Sequence, residues 1–406
     1  MTAEDLLTRS LREVTEKTDY PSIPVETVVR RAGAVRARRR RTAALAVAAA
    51  VAAVAVPGAV WWNHSPGTSL QPTVSPSSSS TPTSSPSGPT ALADLPVGHK
   101  PGIDYLDGAT YVGMGGGRIQ DPALTTATAA TPVRDGLLFA LPGETPSIAD
   151  LRVHAKGVDH PLGCGRNHFA MSDDAVVSAY WVRDSCDPDR TDSAGRLYAG
   201  VDNTLGEGGP AFVRTPSGEL IDPVGIQTES VVVNAWHRQD PTAELIDIGT
   251  GRATPLFALR IVTGSDENNR VVSGELAGQP AGEPGENAVV DATTGAVRWR
   301  TAWQLGQFSD DGKYVVGLQS GNGSADSYAV FDATTGAKVS DLPQWSPGWI
   351  TQVAWDTDDT LLAVVHDGRS QTAIVRFDLN GRITRATPVR PQKYASVEVF
   401  RFATRP

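Results

Sequence analysis

The sequence predicts an all-β fold for residues 92–406, because of its local texture and because two sequence units repeat there with one period. Short β-rich runs alternate with Gly, Asp, Asn and Pro turns, and no long helical periodicity appears. One unit consists of a strand, an aspartate, a Thr-Gly or Asn-Gly turn and a second strand. Its aspartates are 44, 41 and 46 residues apart, at Asp247, Asp291, Asp332 and Asp378. The other unit is an acidic turn followed by a strand, as in FSDDGKYVVGL from Phe308, and it recurs at similar spacing.

A repeat of about 45 residues is typical of four-stranded propeller blades. The region spans 315 residues, which is seven such periods. The sequence therefore predicts a β-propeller of about seven four-stranded antiparallel blades. Six or eight blades stay open, since the first third of the region repeats poorly.

The residue types in each repeated unit are those that a tight turn requires. The aspartate accepts hydrogen bonds from N–H groups of the turn, and the glycine takes the positive φ of a tight hairpin. Tryptophans recur near the ends of the units, and we expect these large side chains to pack between neighbouring blades. They are Trp299, Trp303, Trp345, Trp349 and Trp355.

Because a propeller is a ring, strands from both ends of the domain must complete one blade. The run Val397–Thr404 alternates like a strand. We expect it to pair with the first strands after Leu92, at Ile103–Tyr105 or Thr110–Gly113. Unpaired ends would leave exposed sheet edges.

An uncharged apolar run at residues 42–62 follows the basic segment RARRRR, which begins at Arg36. About 20 such residues can cross a bilayer as a helix, and arginines on one side stay in the cytoplasm. The sequence therefore predicts a single-pass protein of the plasma membrane, with a cytoplasmic N-terminus and an extracytoplasmic C-terminal domain. A cleaved signal peptide is the alternative, whereas a lipoprotein signal is rejected because no cysteine follows the run.

The segments on either side of this run have different compositions. Residues 1–41 are predicted to form a basic helical tail in the cytosol, with apolar stripes at Leu7/Leu11/Val14 and Val25/Val28/Val29. Residues 63–91 are predicted to form a disordered stalk, since 21 of the 28 residues Asn63–Thr90 are Ser, Thr or Pro. A featureless linker is equally consistent with that composition.

Charge is distributed unevenly along the chain. Residues 1–41 carry a net charge of +4 and residues 42–91 carry none, which leaves −13 for residues 92–406, since the whole chain carries −9. An acidic outer domain argues against nucleic acid or anionic lipid as its ligand. We therefore expect no nucleic-acid partner.

Cys164 and Cys186 are the only cysteines, and both lie in the region predicted to be outside the membrane, where disulfides form. We expect them to be bonded to each other, with two free thiols as the alternative. His160 and His168 flank Cys164 and are weakly suggestive of a metal site, but no compact ligand spacing is present. Acidic turns at Asp266–Asn269 and Asp356–Asp359 could hold Ca²⁺ but complete no EF-hand pattern.

The sequence contains no recognisable catalytic motif. The chain has no GxSxG elbow, and its SDDG turn at Ser309 differs from a sialidase-type Asp box. We therefore predict no catalytic, cofactor-binding or metal-binding residues, and no cofactor.

The repeats resemble those of known propeller families. FSDDGKYVVGL is similar to the SPDGK repeat of WD-repeat-like and Tol-system propellers, and AVVDATTGAVRWR at Ala288–Arg300 is similar to the repeat of quinoprotein propellers. A second copy from Ala329 lacks the tryptophan, so a quinone enzyme is disfavoured. The layout of tail, span, stalk and propeller resembles single-pass membrane proteins of actinobacteria, some of which are encoded beside extracytoplasmic-function sigma factors. The resemblance implies a propeller and no particular activity.

Two functional hypotheses follow. The first is a membrane-tethered, non-catalytic propeller that binds or senses an extracytoplasmic protein, peptide or cell-wall component. The alternative is an anti-sigma-type signalling regulator, whose cytosolic tail binds a sigma factor. The tail holds neither His nor Cys, which excludes the zinc-bound type. An extracellular propeller hydrolase is the third and least favoured interpretation.

Overall fold

The computed structural model describes most of the region predicted to be the propeller. The chain divides into two units, Met1–Ser79 and Ser80–Pro406, and every described residue belongs to the second unit. The predicted tail, the predicted membrane span and residues 63–90 of the predicted stalk lie outside the described residues. The structure describes residues 91–403 apart from residues 115, 134–135, 144, 146–147, 156, 172–176, 188–193, 202–210, 216–218, 228–229, 238–239, 279–284, 320–326, 346–347 and 393–397. No helix within the described part is long and apolar enough to cross a membrane.

The described chain is almost entirely β-structure, with two short 3₁₀ helices at Leu92–Asp94 and Pro122–Thr125. The first seven strands are β1 (Tyr105–Asp107), β2 (Thr110–Val112), β3 (Arg118–Gln120), β4 (Ala129–Val133), β5 (Gly136–Pro142), β6 (Ala149–Ala155) and β7 (Val158–Met171). The next seven are β8 (Val177–Arg183), β9 (Gly195–Val201), β10 (Ala211–Thr215), β11 (Glu219–Gln227), β12 (Ser230–His237), β13 (Asp240–Asp247) and β14 (Ala253–Pro255).

The remaining fourteen strands follow without an intervening helix. The first seven of these are β15 (Leu259–Asp266), β16 (Val271–Leu276), β17 (Asn287–Asp291), β18 (Val297–Thr301), β19 (Gln304–Phe308), β20 (Tyr314–Gln319) and β21 (Ser327–Asp332). The last seven are β22 (Lys338–Asp341), β23 (Trp349–Thr357), β24 (Thr360–His366), β25 (Gln371–Asp378), β26 (Ile383–Arg385), β27 (Arg390–Pro391) and β28 (Phe400–Phe402).

These strands form six antiparallel sheets, which we number in chain order. Sheet I has the order β28-β1-β2-β3, and sheet II has seven strands in the order β4 to β10. Sheets III, IV and V are four-stranded and hold β11–β14, β15–β18 and β19–β22. Sheet VI holds β23–β26, with β27 added beside β25. The all-β prediction and the prediction of four-stranded antiparallel blades are therefore confirmed.

The predicted number of about seven blades is wrong, since the structure has six. The reason lies in β7, whose first half pairs with β6 and whose second half pairs with β8. A 45-residue period predicts two separate blades in this region. In the structure, the strands of both belong to sheet II and are joined by β7. Gly163 has a φ of +125°, and a Cβ on Gly165 would lie 2.1 Å from the Trp181 carbonyl oxygen, so the bend in β7 requires glycine at both positions.

The sheets are held in a ring by buried apolar side chains. Among the described residues these form seven clusters, six of which join successive sheets, including sheet VI to sheet I. The seventh packs the two halves of sheet II against each other. The core is therefore divided among the contacts between neighbouring sheet faces, as is typical of a β-propeller.

Ring closure occurs in sheet I, as the sequence predicts. β28, from the C-terminal end of the domain, pairs with β1, from its N-terminal end. Leu92 and Leu95 pack in the cluster between sheets V and VI, and the Val97 backbone bridges to Arg385, so the entering chain also contacts sheet VI.

The repeated turns have the predicted chemistry. Asp332 Oδ1 accepts hydrogen bonds from the N–H groups of Thr334 and Thr335 at 3.0 and 2.7 Å, and Gly336 has a φ of +73°. The same arrangement recurs at Asp291, where Gly295 has a φ of +72°.

The expected position of tryptophan between blades holds for Trp299 and Trp355. Their indole N–H groups donate to the Ala333 and Gln307 carbonyls of the adjacent sheet, at 2.8 and 3.0 Å. Trp349 differs, because it is 46% exposed and stacks on His366, with ring centroids 4.9 Å apart.

Candidate binding channel

The inner strands of five successive sheets surround a cavity of about 450 Å³. They are the second half of β7, followed by β11, β15, β19 and β23. The volume falls within the range of small-molecule pockets, which is roughly 300–1,000 Å³. We call this cavity the channel.

The wall of the channel combines apolar side chains with uncharged polar ones. The polar side chains are amides and hydroxyls from Asn234, Thr263, Gln304, Gln307, Tyr328, Thr351 and Gln352. Among the described residues that line the channel, only His168 and Asp222 belong to the Asp, Glu, His, Lys and Arg types. The polar groups that a ligand meets in the channel are therefore mainly uncharged.

Asp222, in β11, is the centre of the polar contacts in the channel. Its side chain is 4% exposed. Oδ1 accepts from Arg166 Nε and from His168 Nδ1, the latter at 3.0 Å. Oδ2 accepts from Arg166 Nη2 at 2.8 Å and from Trp236 Nε1 at 2.6 Å. This buried carboxylate is therefore fully hydrogen-bonded, and it joins sheet II to sheet III.

These contacts keep Asp222 ionised. Burial alone would raise the pKa of the carboxyl group, because it disfavours the charged form. The hydrogen bonds and positive charges of His168 and Arg166 outweigh burial and lower the pKa to about 2.

His168 is the one basic side chain among the described residues that line the channel. Its side chain is 49% exposed, and the contact with Asp222 uses Nδ1. An ionised carboxylate only accepts hydrogen bonds, so Nδ1 carries the hydrogen. In the neutral imidazole, Nε2 then offers a lone pair, and Asp222 fixes the orientation of the ring.

Polar contacts between neighbouring sheets hold the wall of the channel together. The Asn234 side chain accepts from the Val262 N–H at 2.7 Å and donates to the Val262 carbonyl at 2.9 Å, joining sheet III to sheet IV. Ser273 Oγ donates to the Gly306 carbonyl at 2.9 Å, joining sheet IV to sheet V. Gln352 accepts from the Phe402 N–H at 2.8 Å, joining sheet VI to sheet I.

The two ends of the propeller differ in their connections. Within a sheet, the first and third strands run in the same direction, so the Asp-Gly turns and the acidic turns lie at one end. The other end carries the irregular connections and the starts of the inner strands. Trp349, at the start of β23, lies at that second end.

The predicted disulfide is confirmed, since Cys164 in β7 is bonded to Cys186 after β8, with their Cα atoms 5.4 Å apart. The two histidines beside Cys164 do not converge on it, because His168 contacts Asp222 instead.

In the two acidic turns that could hold Ca²⁺, aspartate oxygens accept hydrogen bonds from protein groups. Asp356 binds Arg376 and accepts from the Gly102 N–H at 2.6 Å. Asp266 accepts from the Asn268 and Asn269 N–H groups at 3.0 and 3.3 Å.

A second cluster of ionisable groups lies away from the channel. Asp121 follows β3 and begins the second 3₁₀ helix, while His154 and Asp159 are direct cross-strand partners on β6 and β7. His154 Nδ1 lies 3.1 Å from Asp121 Oδ2 and 2.7 Å from Asp159 Oδ1. The three ligand atoms all lie within 4.8 Å of one another, so these residues could hold a metal ion.

Neither cluster was predicted from the sequence. A hairpin that turns at Gly157 places His154 opposite Asp159, and this pairing could have been found from the turn. The approach of Asp121 depends on the packing of sheet I against sheet II. The contact of His168 with Asp222 joins strands of different sheets and has no local signal.

Comparisons with known proteins add only fold-level likenesses. No protein-family model matches the chain, and no curated protein sequence matches it. The chain is similar to the β-propeller domain of the Trilobed protease from Pyrococcus furiosus, with a TM-score of 0.47 and 12% identity over 69% of this chain and 89% of that chain. It is also similar to the WD40 domain of Toxoplasma gondii coronin, with a TM-score of 0.44 and 9% identity over 74% and 78%. An uncharacterised protein of Listeria monocytogenes gives a TM-score of 0.44 and 10% identity over 66% and 85%. The assignment to the propeller class therefore depends on the order of the sheets.

Proposed function

We propose that this protein is a membrane-tethered binding module, whose propeller takes a polar ligand into the channel. The observation that carries the proposal is the half-exposed His168, oriented in the cavity by the buried Asp222. A cavity with a few fixed polar groups on an apolar wall is the usual form of a ligand site.

The chemistry of the wall indicates the class of ligand. When His168 is neutral, its Nε2 accepts hydrogen bonds, as do the amide oxygens of the channel, whereas the charge of Arg166 is already paired with Asp222. These groups suit a ligand rich in N–H or O–H donors, such as a peptide segment or a sugar-containing wall fragment. They do not suit a polyanion.

We propose that the module is non-catalytic. An imidazole oriented by a carboxylate could serve as a general base, but a base needs a nucleophile within hydrogen-bond reach. Within the described part of the chain, no serine, threonine or cysteine is hydrogen-bonded to His168. Arg166 also binds the Asp222 carboxylate, so this carboxylate is less able to stabilise a protonated imidazole at His168.

Tethering and location are proposed from the sequence. The run at residues 42–62, with its arginines on the N-terminal side, would anchor the chain in the plasma membrane. The Ser/Thr/Pro segment would then hold the propeller outside the cell, where the disulfide is stable.

The binding proposal is tested by calorimetric titration of the full-length chain with a panel of short peptides and soluble peptidoglycan fragments. We expect His168→Ala to weaken binding of the active probe by about tenfold, the cost of one lost hydrogen bond in a desolvated site. His237→Ala is the matched control, because this imidazole is 56% exposed, pairs with Glu219 and does not line the channel. Equal affinities of both variants for every probe would place the site elsewhere. Turnover of a probe by the unmodified chain, abolished by His168→Ala, would make the protein an enzyme.

A second candidate function is a signalling regulator, in which residues 1–41 hold a sigma factor and the propeller senses the ligand. The apolar stripes of the tail favour it, because a short helical segment needs a partner to bury them. Co-purification of the full-length chain with sigma factors encoded nearby tests this function. Recovery of the same factors by a chain with Leu7, Leu11 and Val14 changed to Ser would argue against it.

A further inference from the structure

We propose that Asp121, His154 and Asp159 form a binding site for one divalent transition-metal ion, such as Zn²⁺ or Mn²⁺. The site is separate from the channel and does not depend on what the channel binds. One imidazole nitrogen and two carboxylate oxygens are donors that both ions accept, with water completing the coordination.

Three backbone segments hold the donors in place without a metal. Asp121 is 7% exposed, and its Oδ1 accepts from the Ala123 N–H at 2.9 Å, which leaves Oδ2 directed at the cluster. His154 and Asp159 are fixed by cross-strand pairing. A preformed donor set of this kind lowers the entropic cost of binding an ion.

A hydrogen on His154 Nδ1 can be donated to only one of the two neighbouring carboxylates. Nδ1 carries at most one hydrogen, yet carboxylate oxygens lie 3.1 and 2.7 Å from it. Only one of them can receive a well-directed hydrogen bond. A cation that binds its ligands at about 2.1 Å holds them about 3.0 Å apart at right angles and about 3.4 Å apart at tetrahedral angles. Small shifts of the carboxylates would therefore let one cation contact all three atoms.

The charge of the cluster also favours a cation. Two carboxylates face a single imidazole, and neither has a lysine or arginine partner within the described part of the chain. Two carboxylates can together supply more negative charge than one imidazole can balance.

The position of the site gives the ion a structural role. Asp121 belongs to the connection from sheet I to sheet II, and the other two ligands lie on the β6–β7 hairpin of sheet II. A bound ion would join these segments close to the blade that closes the ring. We expect it to stabilise the folded propeller and to leave the channel unchanged.

The test is a titration of EDTA-treated full-length chain with Zn²⁺, and separately with Mn²⁺, followed by calorimetry and thermal unfolding. We expect one equivalent to bind, and Tm to rise by about 3 °C or more at a hundredfold excess over Kd. His154→Gln and Asp159→Asn should each weaken binding by at least about tenfold, because each removes one of three ligands. His237→Gln is the control, since it removes an exposed histidine paired with Glu219.

Three outcomes would overturn the proposal. The first is binding of less than one-tenth of an equivalent of either ion by the unmodified chain. The second is unchanged affinity in both ligand variants. The third is an equal loss in His237→Gln, which would indicate non-specific binding to exposed histidines. If His154→Gln fails to fold, Asp159→Asn decides the matter alone, because its side chain is 25% exposed and can be changed without opening the core.

Discussion

Leu106 on the first strand of the propeller pairs directly with Arg401 on the last strand, although 295 residues separate them in the sequence. Arg401 is only 7% exposed, and its guanidinium group donates to one backbone carbonyl in the β1–β2 turn and to two in the connection from sheet I to sheet II. The acceptors are the carbonyls of Leu124 at 2.8 Å, of Gly108 at 3.3 Å, and of Ala127. One side chain thus joins the C-terminal strand to the N-terminal part of the ring.

The C-terminal strand should therefore stabilise the whole ring. Deleting residues 397–406 removes β28, exposes the edge of β1 and opens the cluster between sheets VI and I. We expect the full-length chain with this deletion to lose cooperative folding or to melt at a much lower temperature, as followed by circular dichroism. A monomeric truncation with an unchanged Tm would show that ring closure does not depend on β28.

Arg401→Met is a finer test of the same contact. It keeps most of the apolar stem but removes the guanidinium donor from three backbone carbonyls, of which that of Leu124 still accepts from the Ala127 N–H at 3.3 Å. The loss should cost about 2–4 kcal/mol of unfolding free energy. Arg390→Met is the matched control, because Arg390 is 49% exposed and its pair with Asp107 should contribute less than about 1 kcal/mol. Urea unfolding measures both. Equal effects would mean that the buried contacts of Arg401 add nothing beyond a surface ion pair.

Asp222 should give the protein a specific sensitivity to acid. Its pKa of about 2 in the folded protein lies below the ordinary value of 3.8, so ionisation favours the folded state. The stabilisation is fully present above about pH 4 and is lost as the pH falls toward 2, and it amounts to about 2 kcal/mol.

Asp222→Asn isolates this contribution. At pH 7 we expect a loss of about 3 kcal/mol, because Arg166 loses its buried carboxylate partner. The gap between the two proteins should narrow by about 2 kcal/mol between pH 5 and pH 2 in urea unfolding. Asp150→Asn removes a carboxylate that is 39% exposed and paired with Arg152, and its effect should stay below about 1 kcal/mol. A gap between Asp222→Asn and the unmodified protein that stays constant with pH would contradict the assigned pKa.

The disulfide should stabilise the bend of β7. Replacing Cys164 and Cys186 together by Ala frees a loop closed across 22 residues, which should cost about 3 kcal/mol on the chain-entropy estimate. Urea unfolding with and without dithiothreitol measures it. The reductant should destabilise the unmodified protein and leave the double variant unchanged. A double variant as stable as the oxidised protein would show that the bond constrains nothing.

The parts of the fold that could be predicted from the sequence are those with local causes. Asp291 and Asp332 define their turns through hydrogen bonds within three residues, so their chemistry is visible in the motif. The number of blades was not predictable in the same way. It depends on β7, which pairs first with β6 and then, beyond Gly163 and Gly165, with β8. The repeated sequence units contain no signal for this shared strand.

The candidate sites follow the same division. His154 and Asp159 are neighbours across one hairpin, and their pairing is local. His168 and Asp222 are 54 residues apart and meet only because sheets II and III pack side by side. The sequence repeats contain the turn and strand residues that are common to the blades. The residues of the candidate sites differ from blade to blade, so the repeats do not predict them.

The two Asp-Ala-Thr-Thr-Gly turns offer a test of packing between blades. Gly295 and Gly336 have nearly the same φ, +72° and +73°, so alanine at either position incurs the same backbone strain, about 1 kcal/mol. A Cβ at Gly295 would meet nothing within 4 Å, whereas a Cβ at Gly336 would lie 2.7 Å from Cδ2 of Trp299, which packs in from sheet IV.

Gly336→Ala should therefore be more destabilising than Gly295→Ala by about 1–2 kcal/mol, the cost of displacing a packed side chain. Urea unfolding of the two variants gives the difference directly, because the shared backbone strain cancels. Trp299→Leu made together with Gly336→Ala should bring the effect of the glycine change back to that at Gly295, since the clashing ring is gone. If Gly295→Ala destabilises the protein as much as Gly336→Ala, the ring of Trp299 does not pack against the turn of the next blade.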